Sequence, residues 1–83
     1  MDTRFWGPSG WKLLHMVAYN YPEKPSEVDK QKYGMFYNNL KYVLPCKYCR
    51  ISLTSFMEEL PIEKYIDSKS KLTRWIYLIH NKL

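Results

Sequence analysis

Residues 44–50 read Leu-Pro-Cys-Lys-Tyr-Cys-Arg, and Cys46 and Cys49 are the only two cysteines in the chain. The two-residue gap sets their sulfurs one helical turn apart, near enough to join in a short, readily reversed disulfide. Downstream, Leu53, Phe56, Met57 and Leu60 recur at three- and four-residue intervals until Pro61, so the pair opens a helix. Pro45 is tolerated at such a start. Unpaired backbone N–H groups and the positive end of the helix dipole favour thiolate there, and Lys47 and Arg50 add positive charge. This setting suits a dithiol that exchanges electrons. Neither an inert bridge nor two buried apolar cysteines would need it.

The remaining elements must position that pair. Prolines divide the chain into four amphipathic stretches. The first runs from about Pro8 to Tyr21, with Trp11, Leu14, Ala18 and Tyr21 on one face. Pro22 closes it, and Pro25 keeps the next loop extended. The second opens at Ser26, with Asp29 reaching back as a variant capping box. Its stripe is Val28, Met35, Phe36, Leu40 and Val43, ending at Pro45. Gly34 costs this helix roughly 1 kcal/mol relative to alanine, and would mark a close packing contact. The dithiol begins the third helix. A polar connection from Ile62 to Ser68 leads to a fourth, capped by Ser68 or Ser70, in which Leu72, Trp75, Ile76, Ile79 and Leu83 keep the 3.6-residue period. Strand alternation and glycine-rich turns are missing. The predicted fold is all-α, a four-helix bundle with short connections.

At 83 residues the chain makes one small domain, 1–83. Domains of this size seldom hold together unaided, so a cofactor, a metal or a second subunit is expected. Aromatic residues make up 17% of the chain, enough for a core, a flat ligand or a dimer face. The net charge of +5 and pI near 9.3 come from scattered Lys and Arg, not from a run. That pattern describes a solvated helical surface. A basic nucleic-acid-binding module is an alternative reading with weak support, because no single element concentrates the charge. A zinc-binding module is another, with Cys46, Cys49, His15 and His80 as ligands. Its histidines lie far from the pair in sequence, unlike a compact finger. A thioredoxin-like enzyme would need a strand–helix–strand setting. No segment approaches a membrane span, and Met1 is followed by Asp2, Thr3 and Arg4, not by an apolar secretory stretch. One dithiol does not fix the redox compartment.

Three blocks carry a resemblance. Trp6, Gly7, Trp11, Leu14 and His15 form W-G-x-x-x-W-x-x-L-H; Pro45, Cys46 and Cys49 form P-C-x-x-C; Trp75, His80 and Asn81 form W-x-x-x-x-H-N. In this order and at about this spacing, the chain resembles the Erv/ALR-type FAD-linked sulfhydryl oxidases. The Leu-Pro-Cys-x-x-Cys form and the lack of a second cysteine pair look most like versions encoded by large DNA viruses, which would place it in a virus particle or infected cytoplasm.

The resemblance implies a helical bundle, usually a homodimer, holding FAD with the dithiol beside the flavin. Cys46 would be the outward sulfur met by thiol-containing protein substrates. Cys49 would pass electrons to the flavin, and dioxygen would accept them to give hydrogen peroxide. Trp11 and His15, four apart on one helical face, would form one wall against a flat ring, and Trp75 with His80 and Asn81 the opposing wall. Gly7, Ser9 and Gly10 would allow close approach of the cofactor at the first helix. Tyr77 would be a flavin neighbour, and Arg74 and Lys82 would meet the pyrophosphate unless they are merely solvated. Members of the family usually continue past the His-Asn block, so the chain is expected to be truncated at its C-terminal end.

Overall fold

Pro8 is the first departure from expectation. The computed structural model describes residues 3–83, and helix α1, Thr3–Tyr19, runs straight through that proline. Proline inside a helix forfeits one backbone hydrogen bond and normally excludes the preceding residue from helical geometry, largely through that residue's Cβ. Here the preceding residue is Gly7, which has no Cβ and is helical with negative φ. The turn before Pro8 therefore survives. Met1 and Asp2, read above as a non-secretory start, lie outside the described residues.

The far end of α1 also differs. Helix geometry stops at Tyr19, and Tyr21 sits in the turn beyond, its N–H bonded to the Ala18 carbonyl. Its ring still enters the core, where the hydroxyl donates to the Ile66 carbonyl at 2.7 Å. That bond ties the first turn of the chain to the last connection.

Helix α2, Glu27–Val43, starts where Ser26 and Asp29 predict. The Asp29 N–H donates to Ser26 Oγ at 3.1 Å, and the Ser26 N–H donates to Asp29 Oδ2 at 2.9 Å. Its buried face is rotated from the expected stripe. Val28, Met35, Phe36 and Val43 are exposed, while Gly34 and Tyr37 are buried and Tyr33 and Leu40 pack beside them. Tyrosine goes inward when its hydroxyl finds a partner, and Tyr37 donates to the Leu14 carbonyl at 2.7 Å. Gly34 lets α2 approach closely: a Cβ there would stand 3.1 Å from Ile66 Cδ1.

Helix α3, Lys47–Glu59, is stopped by Pro61, and a short 3-10 turn, Ile62–Lys64, leads to α4, Lys69–Lys82. Ser68, not Ser70, caps α4 by accepting the Lys71 N–H at 3.2 Å. Leu72, Trp75, Ile76 and Ile79 are buried as their period requires, whereas Leu83 is half-exposed. Helix α1 packs on α4 and α2 on α3, giving a four-helix bundle with no strand among the described residues. Trp75 stands at its centre, wholly buried, its indole N–H donating to the Leu60 carbonyl at 2.8 Å. No described helix is long and apolar enough to cross a membrane.

Candidate functional site

Cys46 is the N-cap of α3. Its backbone is extended, and its sulfur accepts the Cys49 N–H at 3.3 Å. Arg50, one turn further on, donates from its guanidinium to the Leu44 carbonyl and so pins the Leu-Pro-Cys bend. Both sulfurs are half-buried thiols, but their surroundings differ. The Cys49 thiol donates to Cys46 and holds the Cys46 thiol below its ordinary value, helped by the Cys49 and Tyr48 N–H groups and by Arg50. Burial pushes the Cys49 thiol up, reinforced by that same hydrogen bond and by the charge of Cys46. The first proton to leave the reduced pair comes off Cys46, and the second is held because two adjacent thiolates repel.

Behind the pair lies a cavity of about 590 Å³ between α1, α2 and α4. Ligand pockets run roughly 300–1,000 Å³, so a flat tricyclic ring is within its capacity. Cys49 lines this cavity and Cys46 does not. Its walls are mostly apolar, with Leu40, Leu44, Leu53 and Ile79 among them, and Gly7, Gly10 and Trp11 contribute from α1. A Cβ on Gly7 would meet nothing within 4 Å, so the cavity reaches the helix backbone there.

A second, shallower hollow lies on the other side of α1, lined by Lys12, His15, Tyr77 and His80. Trp11 and His80 separate the two hollows and face both. Their rings stack 3.9 Å apart and 5° from parallel. The expected pair of opposing walls is thus closed, and no third ring fits between these two. A flat ligand must lie to either side of the stack. His15 Nε2 is 3.0 Å from His80 Nδ1, and the His15 ring also leans on Tyr77 at 4.6 Å. Burial first, and His80 second, hold the His15 imidazole below its ordinary value. A hydrogen bond with Tyr19 raises the Tyr77 hydroxyl.

Two buried polar atoms lack partners among the described residues: Trp6 Nε1 and His15 Nδ1. Leaving such a group unpaired costs about 1–3 kcal/mol, and each belongs to a residue lining one of the hollows. Both point to a ligand with polar edges.

Of the residues singled out from sequence, Gly7, Gly10, Trp11, Trp75, His80 and Cys49 meet at the cavity, and His15 and Tyr77 at the second hollow. Trp75 is a core residue whose indole N–H is already used, so it offers the cavity only an apolar floor. Ser9 and Asn81 are exposed and line neither hollow. Trp6, Gly10 and Trp11 turn the opposite face of α1 inward, which leaves Ser9 outside. Lys82 pairs with Glu59 at 2.8 Å, and Arg74 is exposed; neither reaches a hollow. No group of three or more His, Cys, Asp or Glu side chains that could hold a metal occurs among the described residues, and the zinc reading has no support. Trp6 stands in the first block above but is given no role at the site, because a helix read as starting at Pro8 leaves it outside; its i, i+4 relation to Gly10 is plain once the helix extends back.

Comparison with known proteins places the chain among relatives of the same fold. The Erv1 / Alr family model matches residues 8–83. A probable FAD-linked sulfhydryl oxidase of Acanthamoeba polyphaga mimivirus is 39% identical over 98% of this chain and 57% of its own length. The mitochondrial FAD-linked sulfhydryl oxidase ERV1 of Saccharomyces cerevisiae is 32% identical over 99% of this chain and 42% of its own. The chain thus spans about half the length of these relatives. The crystal structure of the FAD binding domain of Erv1 from Saccharomyces cerevisiae superposes with a TM-score of 0.92 at 33% identity, covering 99% of this chain and 76% of that one.

Proposed function

The chain belongs to the Erv1/Alr family, and on that premise we propose that it is a single FAD-binding domain, 1–83, that oxidises thiols of protein substrates to disulfides through Cys46 and Cys49. The observation that carries this reading is the asymmetry of the pair: Cys49 lines the apolar cavity, while Cys46 caps the helix outside it.

The fit to FAD rests on the two unpartnered atoms, Trp6 Nε1 and His15 Nδ1, on the open space at Gly7 and on the cavity's size. Trp6, Gly7, Gly10 and Trp11 would hold the flavin end, and Lys12, His15, Tyr77 and His80 the adenine and phosphate end. When bound, FAD supplies a two-electron acceptor for the reduced pair and passes electrons to dioxygen, giving hydrogen peroxide. The protein's own part is the exchange of sulfur bonds. A substrate thiolate attacks Cys46 of the Cys46–Cys49 disulfide; a new S–S bond forms, and Cys49 leaves with the electron pair. A second substrate thiolate then attacks the substrate sulfur of the mixed disulfide, and Cys46 leaves as thiolate. Lower-pKa thiols leave faster, and the hydrogen bonds and Arg50 charge at Cys46 favour that departure. The substrate has lost two electrons and two protons, and the pair has gained them.

A second copy of the chain covers the outward apolar residues of α1 and α2 in this reading. Phe5 is 80% exposed, Met16 67% and Val28 60%, and large apolar side chains left bare in this way are what a partner surface would cover. Sedimentation giving a concentration-independent monomer would remove that part.

Purified protein should be yellow, and should take up oxygen with dithiothreitol. The Cys49→Ser variant should keep its flavin absorbance and lose turnover. Full activity in that variant would refute the role given to Cys49.

A further inference from the structure

We propose that the outward face of α3 around Cys46 selects thiol substrates in which the reacting cysteine is flanked by acidic residues and followed by an apolar side chain. The inference rests on the thiol-oxidase reading and adds a substrate class to it. Between Lys30 and Met57 the chain holds five Lys or Arg residues and no Asp or Glu. Cys46 lies within this acid-free stretch, next to Lys47 and one turn from Arg50. Neither cation forms an ion pair with a carboxylate among the described residues; the pairs present all lie elsewhere. Lys47 is exposed. Tyr48 and Ile51, one turn apart on the same face, are 79% and 58% exposed. The exchangeable sulfur thus has two cations close by in the chain, Lys47 and Arg50, neither paired with a carboxylate among the described residues, and an apolar step beside it.

Complementary charge mainly raises the rate of encounter and rejects like-charged partners. In free solution the bias runs the other way. Acidic neighbours raise a cysteine's pKa and reduce its thiolate, so acidic peptides are the slower nucleophiles toward a small disulfide. A basic surround at Cys46 reverses this order, and the uncatalysed reaction supplies the control.

The test uses FAD-loaded full chain and two Cys-x-x-Cys peptides with one leucine each, alike except for flanking glutamates or lysines. At about 0.02 M ionic strength, kcat/KM from oxygen uptake should favour the Glu peptide roughly tenfold, shrinking to within about twofold near 0.5 M. Lys47→Glu should bring the ratio to about one or invert it, each peptide's kcat/KM being taken relative to the same variant's dithiothreitol turnover. Lys47 is not among the groups that hold the Cys46 thiol low. An acidic residue at a helix start is moreover favourable, so this variant should fold. Replacing the leucine of the Glu peptide by glycine should lower its kcat/KM, and Tyr48→Ala should erase that difference while sparing the charge preference. Equal rates, or a preference for the Lys peptide at low salt with normal dithiothreitol turnover, would overturn the proposal and leave the oxidase reading intact. A second measurement needs no oxygen. In Cys49→Ser, the Cys46 thiolate attacks single-cysteine peptides capped with thionitrobenzoate, and the release of that yellow thiolate reads docking directly. The same Glu-over-Lys order is expected; its absence there would count against the proposal, whereas its presence while the unsubstituted, FAD-loaded chain takes up no oxygen would count against the oxidase reading alone.

Discussion

At the start of α2 the Ser26 hydroxyl accepts the Asp29 N–H at 3.1 Å; at the start of α3 the Cys46 sulfur accepts the Cys49 N–H at 3.3 Å. The backbone device is the same, a side chain closing onto the third amide of the helix. What differs is the reciprocal partner. Asp29 returns a carboxylate to the Ser26 N–H, whereas Cys49 returns a thiol to Cys46. Glu27 and Asp29 place negative charge at the first turn of α2, and α3 has none there, so its dipole stays available to a thiolate. Putting sulfur where one helix uses oxygen turns a structural closure into a centre that can store two electrons. The two starts therefore diverge by chemistry, and hardly by shape.

Separating the two properties is the sharpest test. Cys46→Ser should keep the α3 cap, changing stability by less than about 0.5 kcal/mol, because serine is a better cap acceptor than a thiol. The same change should abolish disulfide exchange, lowering turnover at least ~100-fold, measured by oxygen uptake beside thermal melts. Next in size is the reactivity split within the pair. In the reduced protein, iodoacetamide should modify Cys46 at least ~10-fold faster than Cys49 near neutral pH. The sign follows from the shifts: the Cys46 thiol is lowered and the Cys49 thiol raised, so thiolate appears first on Cys46 as pH rises. Peptide mass mapping over a pH series reads this, and Cys49→Ala should move the Cys46 profile toward higher pH.

The counterpart at α2 should touch stability alone. Ser26→Ala should cost about 1 kcal/mol, a drop in Tm of roughly 4–8 °C for a domain of this length, with alkylation rates and turnover unchanged. The smallest effect is expected within the same helix at Gly34. Alanine would gain about 1 kcal/mol of helix propensity, offset by a Cβ pressed to 3.1 Å of Ile66 Cδ1. Gly34→Ala should lie within about 0.5 kcal/mol of the parent, while Gly34→Val should be clearly destabilised in urea titrations.

Ser26, Ser68 and Pro61 announce their helices in the sequence because caps and breakers act locally. The start of α3 at the cysteine pair is legible for the same reason, and so is the buried face of α4, whose apolar residues admit one orientation. Other features depend on neighbours that a local pattern does not contain. Pro8 reads as a beginning, but Gly7 removes the clash that would make it one. The buried face of α2 is set by Tyr37, whose hydroxyl needs the Leu14 carbonyl 23 residues away. Helical spacing puts Trp11 and His15 on one face; that Trp11 meets His80 face to face depends on how α1 and α4 are packed. Trp6 is hidden by the misplaced helix start, and Ser9 is included only because it stands between residues that do turn inward.

The amide of Cys49 has a use beyond holding a helix end. In the reduced pair it faces an electron-rich sulfur, the first of the two to ionise; once Cys46 is tied up in a disulfide, that sulfur becomes a feeble acceptor. The nitrogen and proton resonances of this single backbone group should therefore track the oxidation state of the protein, offering nuclear magnetic resonance a built-in gauge that needs no dye and no flavin signal.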